Sequence, residues 1–308
     1  MPLQAGGRGG RPIVEALLAT GKHTVTALTR PSGTSPSTFP AGVHTVLVDY
    51  TDKDALVAAL TGQDALIITL SPFAPKDTHA LLVEAAATAG VPWILPNHWA
   101  HDTTDEIDPT LTKDVPVFAE QVGRFKHIAS LGVSAYVDVA TGFWYELLLQ
   151  TPGGFGFDFA AKKASFLDDG KTQMTVSSYP QIGRVVASLL SLPVASEGSG
   201  PSLEDYRNKE VYMGSFTVSQ SDMFESVLRV TGQKREEWTI EHEPSKEKYR
   251  KGFEAFQKGD MMGFMRMLTA RVFYPEHAVG NMEKNHGLVN KALEVPLEDL
   301  DTVTRTVV

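Results

Sequence analysis

The sequence predicts an α/β chain built on a doubly wound parallel sheet, with a smaller α+β unit attached. Three observations predict it. Short apolar stretches alternate with amphipathic helical ones through the first half of the chain. The apolar stretches have no polar face, as in Ala65-Leu66-Ile67-Ile68-Thr69-Leu70, which suits a parallel sheet covered on both sides. A glycine turn, Ala5-Gly6-Gly7-Arg8-Gly9-Gly10-Arg11-Pro12, leads straight into the first helical pattern.

The elements follow in order. An amphipathic helix over 13–20 stops at Gly21, a residue able to take the left-handed cap. Residues 23–29 read as a buried strand ending at Arg30, and a loop rich in Pro, Ser and Thr fills 31–40. A strand over 43–49 precedes a helix opened by Thr51-Asp52-Lys53-Asp54, where a side-chain oxygen and acids meet the free N–H groups, and Gly62 ends it. The strand 65–70, a helix to Ala89 ended by Gly90, the strand 91–95, a helix over 117–131 ended by Gly132 and the strand 135–140 complete the alternation.

The second half changes character. Residues 157–166, a turn at Asp168-Asp169-Gly170 and residues 173–176 predict short antiparallel strands. Helices are predicted over 180–192, 219–230 and 245–273, the last broken near Gly259, with residues 211–214 returning to the sheet. The division expected is a dinucleotide-binding unit over 1–147, completed by 177–215, and a substrate unit made of 148–176 and 216–308.

Composition bounds the function. Over 308 residues the net charge is −9, which argues against nucleic acid and anionic membrane as partners, since both need a basic face. With no cysteine there is no disulfide framework and no thiolate chemistry, which fits a cytoplasmic location. No apolar run nears the roughly 20 residues of a membrane span, and the glycine-rich start has no signal-peptide core. The nine histidines are scattered without metal-ligand spacing, so no metal site is expected.

In a doubly wound sheet ligands sit beyond the carboxyl ends of the strands. One crevice is therefore expected to gather residues 6–10, Arg30, Asp49, Leu70 to Pro72, Asn97, His98 and Thr141 to Phe143. The glycines let a backbone approach a pyrophosphate, and the first helical N–H groups point at it. Arg30 stands where a NAD site places a carboxylate, and a guanidinium there suits a 2′-phosphate, so NADP(H) is the cofactor expected. A solvent-exposed loop arginine is the alternative, and for Asp49 a strand-end turn acid is an equal one.

The segments GRPIVEALLATG, TALTRPSG, VLVDYTDKDALVAALTGQDALIITL, GVPWILPNHWAHD, FAEQVGRFKHIASLGV and GKTQMTVSSYPQIGRVVASLL, in this order, resemble the NmrA-like and isoflavone-reductase-like branch of the atypical short-chain dehydrogenases, of fungal type. The resemblance implies an NADP(H)-binding Rossmann domain and a smaller substrate domain. It places Gly6, Gly9 and Gly10 on the family's glycines, with Arg11 aligned after a deletion of about two residues, and Arg30 on the 2′-phosphate. It places Asp49 near adenine, Leu70, Ser71 and Asn97 along the cofactor, and Phe143 beside the nicotinamide. The family has an apolar strand before the turn where this chain has Met1-Pro2-Leu3-Gln4; either residues 2–5 form a stub or the start is aberrant.

The resemblance also locates a departure. Gln121 stands where the reductases carry a proton-donating lysine, and an amide can hydrogen-bond a carbonyl but cannot supply a proton. His98, which titrates near neutrality when unperturbed, is the substitute acid/base candidate, with a structural histidine as the bland alternative and His101 a weaker candidate. Trp144 and Tyr145 read as pocket wall, and Met261, Met262, Met265 and Met267 as adaptable packing. The reading is an NADPH-dependent reductase of a small aromatic or quinonoid substrate. The alternatives are a non-catalytic NADP(H) sensor and a chain too short at its start to hold a dinucleotide. A homodimer or a protein partner is left open.

Overall fold

A computed structural model of the protein describes residues 7–30, 39–71, 74–151, 153–196 and 198–308. In chain order it places α1 (Gly10–Ala19), β1 (Val25–Thr29), β2 (Val43–Leu47), α2 (Lys53–Leu60), β3 (Ala65–Ile67), α3 (Thr78–Ala89), β4 (Trp93–Leu95), α4 (Leu111–Asp114), α5 (Pro116–Ser130) and β5 (Ala135–Ala140). There follow β6 (Phe143–Trp144), α6 (Tyr145–Gln150), β7 (Phe157–Asp158), β8 (Lys163–Leu167), β9 (Met174–Ser177), α7 (Tyr179–Leu190) and β10 (Lys209–Tyr212). The chain ends with β11 (Phe216–Val218), α8 (Gln220–Thr231), β12 (Thr239–Glu243), α9 (Ser245–Gln257), α10 (Met261–Val272), α11 (Met282–His286) and α12 (Leu300–Thr304).

The first-half strands pair only in parallel: β1 with β2, and β3, β4, β5 and β10 in the order β10-β5-β4-β3. β2 lies open to solvent, with Leu47 66% exposed, but both faces of β1, β3, β4 and β5 are covered. On one, Ile13, Val14 and Leu17 of α1 and Ile182, Val185 and Val186 of α7 bury against Ala27, Ile67, Val137 and Val139. On the other, Leu56 and Leu60 of α2, Leu82 and Val83 of α3 and Ile128 of α5 pack on Leu28, Leu66 and Ile94. This two-sided cover explains why the strands read as continuous apolar runs. The strand or stub considered for residues 2–5 lies outside the described residues.

The helix ends expected at Gly21 and Gly90 stand as positive-φ glycines, and Gly259 (φ +88°) separates α9 from α10. α1 begins three residues earlier than its apolar pattern, at Gly10, because Gly9 and Gly10 hold helical backbone without contributing side chains.

One pairing differs from expectation. The turn at Asp168-Asp169-Gly170 was expected to close a hairpin onto residues 173–176. Instead β8 pairs antiparallel with β7 and parallel with β12, while β9 joins β6 and β11. Asp168 takes a left-handed conformation (φ +52°), donates its N–H to Glu243 O and accepts at Oδ1 from Ser245 N. Those bonds tie the turn to the end of β12 and the start of α9, and β12 and β7 occupy both sides of β8, so the chain does not fold back along it. The aromatic cluster of Phe143, Tyr145, Phe155, Phe157, Phe166 and Phe224 fills the core on this side of the molecule.

Candidate functional site

The site is built at the carboxyl ends of the parallel strands. At its first corner the N-terminus of α1 has no side-chain cap: Gly9 is the N-cap residue, and Pro12 lacks an N–H altogether. Arg8 and Arg11 flank this end, Arg11 pairing with Glu15 at 2.7 Å on the surface. Among the described residues this helix start has no side-chain cap, and Arg11 N donates to Gly7 O (2.9 Å). The indole of Trp144 closes over it: a Cβ added at Gly9 would stand 2.9 Å from Trp144 Cη2. Gly6 lies outside the described residues.

At the second corner Arg30 leaves β1 exposed, with its guanidinium carbon 6.0 Å from the centre of the Tyr50 ring. The Tyr50 hydroxyl donates to Leu28 O (3.0 Å), which fixes that ring, and burial pushes its phenol up to about 12, with the Arg30 cation opposing. Among the described residues Arg30 has no carboxylate partner. Asp49 is turned inward on its own loop: Oδ1 accepts from Thr51 N (2.9 Å) and Thr51 Oγ1 (2.8 Å), and these bonds hold its carboxyl below the usual range.

The centre of the site joins β3, β4, β5 and α5. Asn97 Oδ1 accepts from Leu70 N (2.8 Å), tying the two strand ends together, and Ser71 follows directly. Arg124 donates to Asn97 O (3.3 Å) and to Gln121 Oε1 (3.2 Å). Gln121 is on the buried stripe of α5 with Phe118, Phe125 and Ile128, which is why its amide points toward the strands. Burial lowers the Arg124 guanidinium.

His98 is the enclosed member. Its side chain is 1% exposed, and Nδ1 stands 2.7 Å from Oδ2 of the fully buried Asp138. Trp99, held left-handed at φ +51° and anchored by its indole N–H on Ile68 O (2.8 Å), turns the chain just after it. Glu210, in register with Asp138 across β5 and β10, completes a trio whose ligand-type atoms lie within 4.8 Å of one another. Burial, then the Asp138 and Asp102 carboxylates, hold Glu210 far above the carboxylate range, so it carries a proton at neutral pH. The sequence reading expected no metal site because no local spacing suggested one. The fold assembles this group from three separate elements, and among the described residues Asp138 Oδ1, Glu210 Oε1 and His98 Nε2 are buried without a hydrogen-bond partner.

The wall beyond the cluster is aromatic. Phe143 is buried and meets His101 edge-on at 4.3 Å. Burial, then the neighbouring His98, push the His101 imidazole down to about 3, so it is neutral. Asp102 bonds His286 Nε2 (2.8 Å), which stacks on Tyr212 at 3.9 Å.

Sequence reasoning missed Asp138, Glu210 and Arg8. Asp138 carried a signal: an acid inside the otherwise apolar strand 135–140 has to be paired or protonated.

Comparisons with known proteins bear on the fold. The family model described as NAD(P)H-binding matches residues 5–113. The chain carries an NAD(P)H-binding domain. It is 27% identical over 311 residues to Oxidoreductase aprR of Aspergillus flavus, covering 98% of this chain and 96% of that one. Its fold is that of the isoflavone-reductase-like reductases. The structure of AtPrR2 with NADP+ and (+)pinoresinol superposes with a TM-score of 0.75 at 17% identity, covering 100% of this chain and 97% of that one. Isoflavone reductase does so at 0.74 and 16%, covering 100% and 98%. No helix among the described residues is long and apolar enough to cross a membrane.

Proposed function

We propose that this NAD(P)H-binding protein is an NADPH-dependent reductase of a small aromatic or quinonoid substrate. What supports the reading is a guanidinium at the end of β1, Arg30, without a carboxylate partner among the described residues, together with the buried His98–Asp138 pair and Gln121 on α5. The oxidoreductase relative and the reductase folds support the same class.

The residues fit the cofactor. The uncapped start of α1 with Arg8 and Arg11 would hold the pyrophosphate, and Arg30 the 2′-phosphate. When bound, the nicotinamide supplies a hydride from its C4. Gln121 Oε1 is held by Arg124, which leaves its amide N–H groups to hydrogen-bond an acceptor carbonyl. His98 Nδ1 stands 2.7 Å from Asp138 Oδ2, so Asp138 orients the imidazole, and burial holds Glu210 above the carboxylate range beside them. Phe143, buried and edge-on to His101, would form an apolar wall there.

The reading is tested by following NADPH consumption with a panel of quinones, enones and aryl ethers, and repeating it with His98→Asn. Turnover in the wild type, lost in His98→Asn while NADPH still binds, supports it; background rates throughout refute it.

The second reading, a non-catalytic NADP(H) sensor, is favoured by Gln121, an amide at the place of a proton donor. It requires tight binding of NADP+ or NADPH, unequal between the two, with no turnover.

A further inference from the structure

A second pocket, away from the dinucleotide end, has no part in the reading above. It has a volume of about 410 Å³ and lies between β7, β8 and β12 on one side and α9 and α10 on the other. Four cations line it, Lys163, Lys248, Lys251 and Arg266, together with Asp158 and Glu243. The strand alternation dictates this. Ala164 and Phe166 of β8 turn into the aromatic core, so Lys163 and Ser165 face the opposite side. The α9–α10 crossing fixes the other wall. A Cβ on Gly252 would stand 2.5 Å from Met267 N, so the two helices meet backbone to backbone, and Lys248, Lys251 and Arg266 are held in a rigid frame.

Three of the four cations are already answered at the rim. Lys163 pairs with Glu241 at 2.8 Å, Lys251 with Glu243 at 2.9 Å and Arg266 with Asp260 at 3.5 Å, all about half-exposed. Such pairs are worth ~0–1 kcal/mol and rearrange at little cost. Lys248 is different. It is 8% exposed, it lines the pocket, and among the described residues its side chain makes neither a hydrogen bond nor an ion pair. A largely buried cation compensated only by the Glu243 charge, which Lys251 already holds, is costly, and in a lined cavity it offers a place for an anion.

We infer that this pocket binds a small metabolite through one carboxylate or phosphoryl group seated on Lys248, with Arg266 and the rim lysines closing around it. Burial, with the Arg266 charge, lowers the Lys248 ammonium while Glu243 raises it, so an incoming anion would also secure its proton.

The test is a melt of the full protein saturated with NADP+, with sodium phosphate or sodium succinate added at constant ionic strength. At ten times its dissociation constant either anion should raise the midpoint by about 3 °C. A response to phosphate alone assigns a phosphoryl ligand, and a response to succinate alone a carboxylate. Lys248→Met keeps the side-chain volume, should melt at or above the wild type without anion, and should lose the response. A second measurement needs no variant: the anion should protect Lys248, and not Lys209, from acetic anhydride, read by peptide mass. No shift with either anion, a shift retained in Lys248→Met, or labelling of Lys248 unaffected by anion would overturn the inference.

Discussion

Trp144 rests its indole on Gly9, the N-cap residue of α1, so closely that a Cβ there would come within 2.9 Å of the ring. The indole is held by its N–H to Thr141 Oγ1 (3.1 Å) and by an edge contact with Tyr179 at 5.5 Å. The glycine thus admits an aromatic ring at the place where a phosphate would approach the helix start. A dinucleotide must move that ring or lie along it.

Trp144 is therefore expected to report binding. NADP+ should change the tryptophan emission of the wild type, and the change should shrink in Trp144→Phe, although three other tryptophans remain. Gly9→Ala should weaken dinucleotide binding and destabilise the fold by about 1–3 kcal/mol, the cost of overpacking. Equal emission changes in wild type and Trp144→Phe would show that the indole is not at the cofactor.

Arg30 sets the second expectation. Its guanidinium stands at the end of β1 with only the Tyr50 face beside it among the described residues. A charge-assisted bond from it to a 2′-phosphate is worth about 1.5–3 kcal/mol, so Arg30→Ala should weaken NADPH binding by roughly 10- to 100-fold and leave NADH nearly unchanged. Calorimetry with both nucleotides checks this. A variant that still prefers NADPH by the wild-type ratio would place the discrimination elsewhere.

The elements that could be read in the sequence are those whose cause is local. The parallel strands show themselves as apolar runs, and the helix ends at Gly21, Gly90 and Gly259 as glycines that take positive φ. Arg30 and Gln121 were legible because one follows a strand and the other sits on a helical stripe. The His98–Asp138–Glu210 group was not, since its members come from the end of β4, the middle of β5 and β10, with 40 residues between the first pair. Likewise the β8 pairing depends on Asp168 meeting the distant Glu243 and Ser245, which no local turn signal contains.

Arg271 joins α10 to the segment before α5, and it is 1% exposed. It donates to Asp108 (2.6 Å), Asp114 (2.8 Å) and Thr110 (3.0 Å) and lies over the Tyr274 ring. Burial alone would raise Asp108, yet the bonds from Thr110 and Arg271 bring its carboxyl below the usual range. Arg271→Met would strand the buried Asp108 charge, at a cost of about 3–5 kcal/mol, and should lower the melting midpoint by roughly 6–15 °C. A loss under 2 °C, on the order of 1 kcal/mol or less, would mean that water replaces the guanidinium.

Glu210 gives a prediction whose sign follows from its burial. In the folded chain the carboxyl keeps its proton well above the ordinary range, because ionising it would place a second charge beside Asp138 and Asp102 away from water. In the unfolded chain it ionises at its usual value. Between those two limits unfolding releases a proton, so stability falls as pH rises, by up to about 1.4 kcal/mol per pH unit while one full proton separates the states. Glu210→Gln keeps the shape but has nothing to ionise. The variant should match the wild type near pH 5 and melt higher by roughly 4–8 °C near pH 8.5, with a flatter profile between. Parallel profiles for the two proteins would show that Glu210 is already ionised in the folded state.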